Sequence, residues 1–177
     1  MRIVAGEFRG RQLKSPTWDG LRPTSDRLRE TLFNILGPSV RGTTVLDGYA
    51  GTGAIGIEAL SRGAAAVTFV ERDPRAVKLI EANLAALGAT GVIMRAGLAD
   101  AVTRLGGQVF DLIILDPPYA DAAAAEALDA AHVLAGEQSR VVVEHASRYA
   151  PPAERGGLRL ARTVKAGDSA LSFYEHL

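Results

Sequence analysis

The sequence predicts an α/β protein with a doubly wound, mostly parallel sheet that ends in an antiparallel hairpin. Short, almost wholly apolar runs alternate with helical patterns between residues 43 and 144. Uninterrupted apolar runs of this kind are typical of parallel strands whose two faces are both covered by helices. The tail breaks the alternation, because residues 158–165 and 169–175 flank Ala166-Gly167-Asp168, a hairpin turn signal.

The N-terminal elements come before this alternation. Residues 1–14 contain short β-like pieces around two glycines and predict a small hairpin, and residues 15–23, with two prolines, predict a loop. A helix over residues 26–36 follows, with Thr24 or Ser25 as its cap, and Gly37-Pro38 ends it. We therefore expect a basic hairpin-and-loop extension over residues 1–24 and a main domain over residues 25–177.

The alternating elements of the main domain follow from apolar runs, caps and breakers. Pro74 occupies the first position of its helix, where proline is favoured. In chain order, the prediction is strand 43–47, helix 51–62, strand 66–71, helix 74–87, strand 92–95, helix 99–105, strand 109–116, helix 121–134 and strand 139–144.

Composition excludes several classes of protein. The 177 residues suit one domain, and 47% hydrophobic with 23% charged residues exclude a disordered chain. The absence of cysteine excludes disulfides, thiolate catalysis and cysteine-based metal sites, and the three scattered histidines form no metal-ligand pattern, so we expect no metal. A polar N-terminus and the lack of an apolar run near 18 residues predict a soluble, cytoplasmic protein.

Charge is unevenly distributed along the chain. The net charge is zero, but residues 1–42 hold eight Lys and Arg against four acids, a net +4 that the remainder balances. Such asymmetry favours contact with a polyanion at one end of the molecule, although a solvated basic face is the simpler alternative.

A glycine-rich loop follows the first predicted strand. Gly51, Gly53 and Gly56 form a G-x-G-x-x-G pattern, and Glu71 lies 20 residues after Gly51 at the end of the next strand, where an acid binds ribose hydroxyls. Asp47 ends the first strand, and a carboxylate there would face the ligand and repel a pyrophosphate. It suits the sulfonium and ammonium groups of S-adenosylmethionine better than a nicotinamide cofactor, which stays the weaker alternative.

A second motif, Asp116-Pro117-Pro118-Tyr119, ends the fourth predicted strand. The two prolines make a rigid bend and leave their carbonyls free as acceptors. Asp116 and the Pro117 carbonyl suit the two hydrogens of a conjugated exocyclic amine, and Tyr119 offers a face for an unstacked base. This arrangement favours methylation of such an amine over a purely structural Pro-Pro turn.

These motifs together resemble the RsmD family, which methylates guanine N2 in the 16S ribosomal RNA of bacteria. The resemblance is carried by D-G-Y-A-G-T-G-A-I-G-I-E-A-L-S-R-G-A, by D-P-P-Y, and by the N-terminal words R-I-V-A-G-E-F-R-G-R-Q-L and G-L-R-P-T-S-D-R-L-R-E-T-L-F-N-I-L. It spans essentially the whole chain. It implies a Rossmann-like, seven-stranded S-adenosylmethionine-dependent methyltransferase fold.

The resemblance also implies a role for each matching residue. Catalysis is assigned to the D-P-P-Y residues, Asp116, Pro117, Pro118 and Tyr119. The implied cofactor-binding residues are Asp47, Ala50, Gly51, Thr52, Gly53, Glu71, Arg72, Asp73, Leu98, Arg22 and Thr24, with Pro23 in the same R-P-T word. The implied RNA-binding residues are Arg2, Arg9, Arg11, Lys14 and Arg27. The expected partner is 16S RNA within a small ribosomal subunit, bound by a monomer without a metal or a membrane.

Two departures from the family pattern and three alternatives remain. Gly48-Tyr49 replaces a more usual bulky pair, and Ala96-Gly97-Leu98-Ala99-Asp100 lacks the acid-plus-alanine pair often found at the adenine edge, so the family pattern does not assign Asp100 as a cofactor contact. D-P-P-Y alone also fits methylation of adenine N6 in DNA or RNA, or of a protein glutamine. A non-catalytic RNA-binding assembly factor is the alternative from another class, and the two intact motifs argue against it.

Overall fold

The structure is a computed structural model that describes residues 1–21, 24–119 and 122–177. It consists of two compact units, residues 1–97 and residues 98–177. The predicted roles of Arg22 and Pro23, and the predicted start of a helix at Asp121, lie outside the described residues. The boundary that we predicted after residue 24 stays a prediction.

The first unit alternates helices and parallel strands. Its helices are α1 (Asp26–Leu36), α2 (Ala54–Ser61) and α3 (Pro74–Leu87), and its strands are β1 (Thr44–Asp47), β2 (Ala66–Glu71) and β3 (Val92–Arg95). The strands lie in the order β3-β2-β1, and both pairings are parallel. Ser25 is the cap of α1, because its Oγ accepts the Leu28 N–H at 3.1 Å.

The predicted N-terminal hairpin is a single antiparallel bridge between Arg2 and Gln12. Backbone hydrogen bonds on either side of this bridge close the loop, with Ile3 N–H donating to the Arg11 carbonyl at 3.0 Å and Leu13 N–H to the Met1 carbonyl at 3.0 Å. Ile3 and Leu13 are buried. Residues 1–14 are therefore a structured segment of the first unit, and its two halves form only one β-bridge with each other.

The second unit begins with helical and parallel elements and ends in antiparallel strands. It contains α4 (Leu98–Leu105), β4 (Phe110–Leu115), α5 (Ala123–Ala131), β5 (Ala135–Ala146), β6 (Glu154–Arg155), β7 (Leu158–Ala166) and β8 (Ser169–His176). The strands lie in the order β4-β5-β8-β7-β6, and only β4 with β5 is parallel. The predicted hairpin is confirmed as β7 and β8, joined at Gly167-Asp168.

The strand count of the described residues exceeds the predicted seven by one. The additional strand is β6, which has two residues and pairs with the start of β7. A two-residue strand has no periodicity that a sequence pattern can reveal.

No helix within the described ranges is long and apolar enough to span a membrane.

Candidate active site

The glycine loop lies between β1 and α2 and is fixed by close packing. Gly51 and Gly53 both adopt positive φ, at 55° and 78°. Gly56, in the first turn of α2, packs directly on β2, since a Cβ there would lie 2.3 Å from the Phe69 ring. The third glycine of the motif thus permits the close approach of helix and strand that such loops require.

Glu71 ends β2 and ties the loop to the start of α3. Its Oε2 accepts the Gly51 N–H at 2.8 Å, and its Oε1 accepts the Asp73 N–H at 2.8 Å. Glu71 is half-buried, and a carboxylate oxygen accepts about two hydrogen bonds. With the donors of the described residues counted, each oxygen retains the capacity for one more hydrogen bond, which fits the ribose hydroxyls of an adenosine-containing cofactor.

Asp47 lies beneath the loop and does not face an open cleft. It is 1% exposed, and its Oδ2 accepts the Gly56 N–H at 2.9 Å, in the first turn of α2. Burial raises the pKa of Asp47 to about 7, the bond from Gly56 opposes the rise, and the charge of Glu71 adds to it. From the sequence we expected the Asp47 carboxylate to face the ligand. In the structure, Asp47 instead contacts the loop that would hold the ligand.

The other predicted cofactor residues occupy different environments. Ala50 and Thr52 are buried in the loop, and Arg72 is exposed after β2. Asp73 caps α3 by accepting the Arg75 N–H at 2.8 Å, and the Arg75 side chain lowers the pKa of Asp73. Leu98 is the first residue of α4 in the second unit and is 6% exposed. Thr24 is half-buried immediately before the cap of α1.

The D-P-P-Y motif follows β4 and borders a cavity in the second unit. Asp116 is half-buried, Pro117 is buried, Pro118 is exposed and the Tyr119 side chain is 50% exposed. The cavity has a volume of about 280 Å³, near the lower end of the roughly 300–1,000 Å³ of small-ligand sites. Its lining residues are Pro117, Pro118, Tyr119, Ala124, Glu144, His145, Ala146, Arg148, Tyr149 and Ala150.

Glu144 holds the Tyr119 side chain against this cavity. The Tyr119 hydroxyl donates to Glu144 Oε1 at 2.8 Å and lies 2.7 Å from Ser169 Oγ, which itself lies 3.3 Å from Glu144 Oε1. Burial raises the pKa of Tyr119 to about 12, so the phenol keeps its proton near neutral pH. Burial also raises the pKa of Glu144. The Tyr119 hydroxyl is thereby anchored beside the cavity.

The predicted RNA-binding side chains are all exposed in the first unit. They are Arg2, Arg9, Arg11, Lys14 and Arg27. Arg11 also has a structural contact, because its guanidinium donates to the Ala86 carbonyl in the last turn of α3 at 2.7 Å.

Comparison with known proteins gives the same family along the whole chain. Residues 1–175 match a family model described as conserved hypothetical protein 95, the RsmD family. The chain belongs to this family. YlbH of Bacillus subtilis is 35% identical in an alignment of 184 positions, and this alignment covers 99% of this chain and 98% of YlbH.

Another relative is ribosomal RNA small subunit methyltransferase D of Escherichia coli, 42% identical over 119 residues. That match covers 67% of this chain but only 60% of the length of the Escherichia coli protein. The solved structure of Escherichia coli yhhF is 34% identical, with a TM-score of 0.85 over 99% of this chain and 97% of that one. The fold of this RsmD-family chain is thus the Rossmann-like fold of S-adenosylmethionine-dependent methyltransferases.

Three polar residues important to this RsmD-family chain were not predicted from its sequence. Glu144 belongs to the cavity, whereas Glu58 and Asn83 are buried in the first unit and bind backbone groups of residues 1–14. Glu144 carried a signal, because it ends an apolar strand with an acid, as Asp47, Glu71 and Asp116 also do.

Proposed function

We propose that this chain is an S-adenosylmethionine-dependent methyltransferase that methylates the N2 amine of a guanine in 16S ribosomal RNA. The observation that carries the proposal is the D-P-P-Y motif at a base-sized cavity, in a chain whose family includes a ribosomal RNA small subunit methyltransferase. The substrate is the RNA of a small ribosomal subunit, which places the enzyme in the cytoplasm. The chain acts as a monomer without a metal.

The cofactor is held by the glycine loop and by the ends of β1 and β2. Glu71 accepts the ribose hydroxyls through the capacity left on its two oxygens, and Arg72 and Asp73 flank the adenine. The loop residues that line the methionine and ribose are Ala50, Gly51, Thr52 and Gly53. Asp47 acts from beneath, since its carboxyl anchors the start of α2. Arg22 and Thr24 lie at the entrance. When bound, the cofactor supplies a methyl group activated by a positively charged sulfur.

The D-P-P-Y residues prepare the amine that receives this methyl group. The lone pair of an exocyclic amine is delocalised into the ring, so the nitrogen is a poor nucleophile. The Asp116 carboxylate and the Pro117 carbonyl each accept one amine hydrogen and draw the nitrogen towards tetrahedral geometry. Pro118 keeps the bend rigid, and the Tyr119 ring stacks on the flipped base. Positioning and fixed dipoles then provide most of the rate acceleration.

The test is transfer of label from radioactive S-adenosylmethionine to small ribosomal subunits from a strain that lacks this enzyme. The RNA is digested to nucleosides, and we expect the label to run as N2-methylguanosine. Asp116→Ala should lose about 10²–10³-fold in rate, with cofactor affinity measured by calorimetry nearly unchanged.

Three results would contradict parts of the proposal. Label in methyladenosine or in ribosomal protein would discard the guanine assignment but keep the chemistry. No label despite measurable cofactor binding would favour the RNA-binding assembly factor. Full activity of Asp116→Ala would remove this carboxylate from catalysis.

A further inference from the structure

We infer that Glu144 is the residue that recognises the guanine ring, by accepting its N1–H inside the cavity bordered by D-P-P-Y. The inference rests on the proposed function. It adds a specificity-determining contact that neither the motifs nor the family comparison assigns.

The first argument is the place of Glu144 in the wall of the cavity. It lies near the end of β5 and lines the cavity together with Pro117, Pro118 and Tyr119. Only 6% of the surface of Glu144 is exposed. A residue with a carboxyl group thus belongs to the wall that also contains Pro117, whose carbonyl is proposed to bind the amine, and the stacking residue Tyr119.

The second argument is the unequal satisfaction of its two oxygens. Oε1 lies 2.8 Å from the Tyr119 hydroxyl and 3.3 Å from Ser169 Oγ. Oε2 is buried and has no hydrogen-bond partner among the residues that the structure describes. A buried acceptor without a donor is unfavourable, so a base that packs against Glu144 and brings an N–H group to Oε2 would satisfy this oxygen.

The third argument is the chemistry of the bases. The edge of guanine that carries the N2 amine also carries the N1–H donor, whereas adenine and 2-aminopurine have an unprotonated acceptor at N1. Asp116 and the Pro117 carbonyl use both hydrogens of the amine, which leaves N1–H for a further acceptor. Glu144 supplies that acceptor for guanine, and its carboxylate repels the N1 lone pair of the other two purines.

The experiment is an exchange of donor and acceptor between protein and base. Small subunits are assembled from RNA that carries either guanine or 2-aminopurine at the methylated nucleotide; both bases have the N2 amine. The wild-type enzyme should prefer guanine in kcat/KM by about 10–100-fold, the discrimination typical of a good base contact. Glu144→Gln preserves an acceptor for Tyr119 and places an amide N–H near the N1 acceptor of 2-aminopurine. Its preference for guanine should fall at least tenfold and approach one.

Two control variants separate recognition from support of Tyr119. Tyr119→Phe removes the hydroxyl that Glu144 holds but keeps the stacking ring, so it should slow both RNAs alike and leave the preference unchanged. Glu137→Gln makes the same chemical change at an exposed position of β5 and should behave as wild type. All variants are first compared in thermal melting.

The outcomes distinguish this inference from the proposed function. If wild type methylates guanine and Glu144→Gln keeps the wild-type preference, Glu144 does not read the base and the inference is overturned alone. If Tyr119→Phe shifts the preference as much as Glu144→Gln, Glu144 acts only by positioning Tyr119. If wild type methylates no guanine, both the proposed function and the inference fail.

Discussion

Asp47 is an acid kept from water beneath a loop that its carboxyl group helps to order. It accepts the Gly56 N–H, is 1% exposed, and has a pKa raised by burial to about 7 from an ordinary value of 3.8. Between these two pH values the folded chain holds a proton on Asp47 that the unfolded chain has released. The free energy of unfolding therefore decreases as the pH rises from 4 to 7, and this effect is complete above pH 7.

Asp47→Asn tests this linkage, because the amide keeps the size of the side chain and an acceptor for Gly56. We expect the variant to gain stability relative to wild type by about 4 kcal/mol between pH 4 and pH 8, from the roughly 1.36 kcal/mol that each pKa unit represents. The measurement is urea unfolding of both proteins at several pH values. A stability difference between Asp47→Asn and wild type that stays constant with pH would contradict the prediction.

At the scale of elements, residues 1–14 are anchored to α2 by backbone hydrogen bonds. The carboxylate of Glu58 accepts the Val4 and Ala5 N–H groups at 2.9 and 3.0 Å, and the Ser61 carbonyl accepts the Glu7 N–H at 2.7 Å. This docking requires a glycine at position 6, where φ is 86° and a Cβ would lie 1.8 Å from the Ser61 carbonyl oxygen. The basic segment, residues 1–14, is thus held in place by hydrogen bonds to α2.

Gly6→Ala should detach this segment, whereas Gly10→Ala provides a matched control with φ of 82° and no atom within 4 Å of the added Cβ. The control should cost about 1–2 kcal/mol for its left-handed backbone. Gly6→Ala should cost about 3–5 kcal/mol, because the separation also breaks several hydrogen bonds. Urea unfolding measures both costs, and hydrogen exchange should show unprotected Val4 and Ala5 amides only in Gly6→Ala. Equal protection in the two variants would refute the anchoring role.

The same elements show what the sequence could predict. β2, α3 and β3 begin and end where their apolar runs and caps predict. Such signals are local, since a proline or an acid marks the start of a helix. The predicted helix 121–134 corresponds to α5 over Ala123–Ala131 followed by a 3₁₀ turn at residues 132–134. The sequence did not predict where the α-helix ends, because alanine repeats contain no stop signal.

Burial of polar residues was harder to predict than the elements themselves. Glu58 and Asn83 lie in helices, where polar residues ordinarily face solvent, but both are buried and bind backbone groups of residues 1–14. The motifs predicted the residues of the glycine loop and D-P-P-Y. Glu144 stands outside both motifs, and its contact with Tyr119 depends on the parallel pairing of β4 with β5, because Tyr119 follows β4.

For the whole molecule, zero net charge conceals a division between a basic N-terminal part and an acidic remainder. If the exposed cations at the N-terminus bind RNA phosphates, each contact releases counterions and contributes about 0.7–0.9 to the slope of log affinity against log salt. Arg2, Arg9 and Lys14 are the suitable side chains to test. Arg11 is excluded because it also binds the Ala86 carbonyl of α3. Replacing these three by glutamine should lower the slope by about 2–3, measured by binding to small-subunit RNA at several salt concentrations.

A matched variant separates specific contact from net charge. Arg159, Arg162 and Lys165 are exposed on β7, and their replacement by glutamine removes the same three positive charges from the molecule. If phosphate contacts are confined to the N-terminal segment, this variant should weaken binding only slightly and keep the wild-type slope. Equal slopes for both triple variants would show that RNA responds to the total charge of the protein. A reduced slope for the β7 variant alone would move the RNA-binding surface to the second unit.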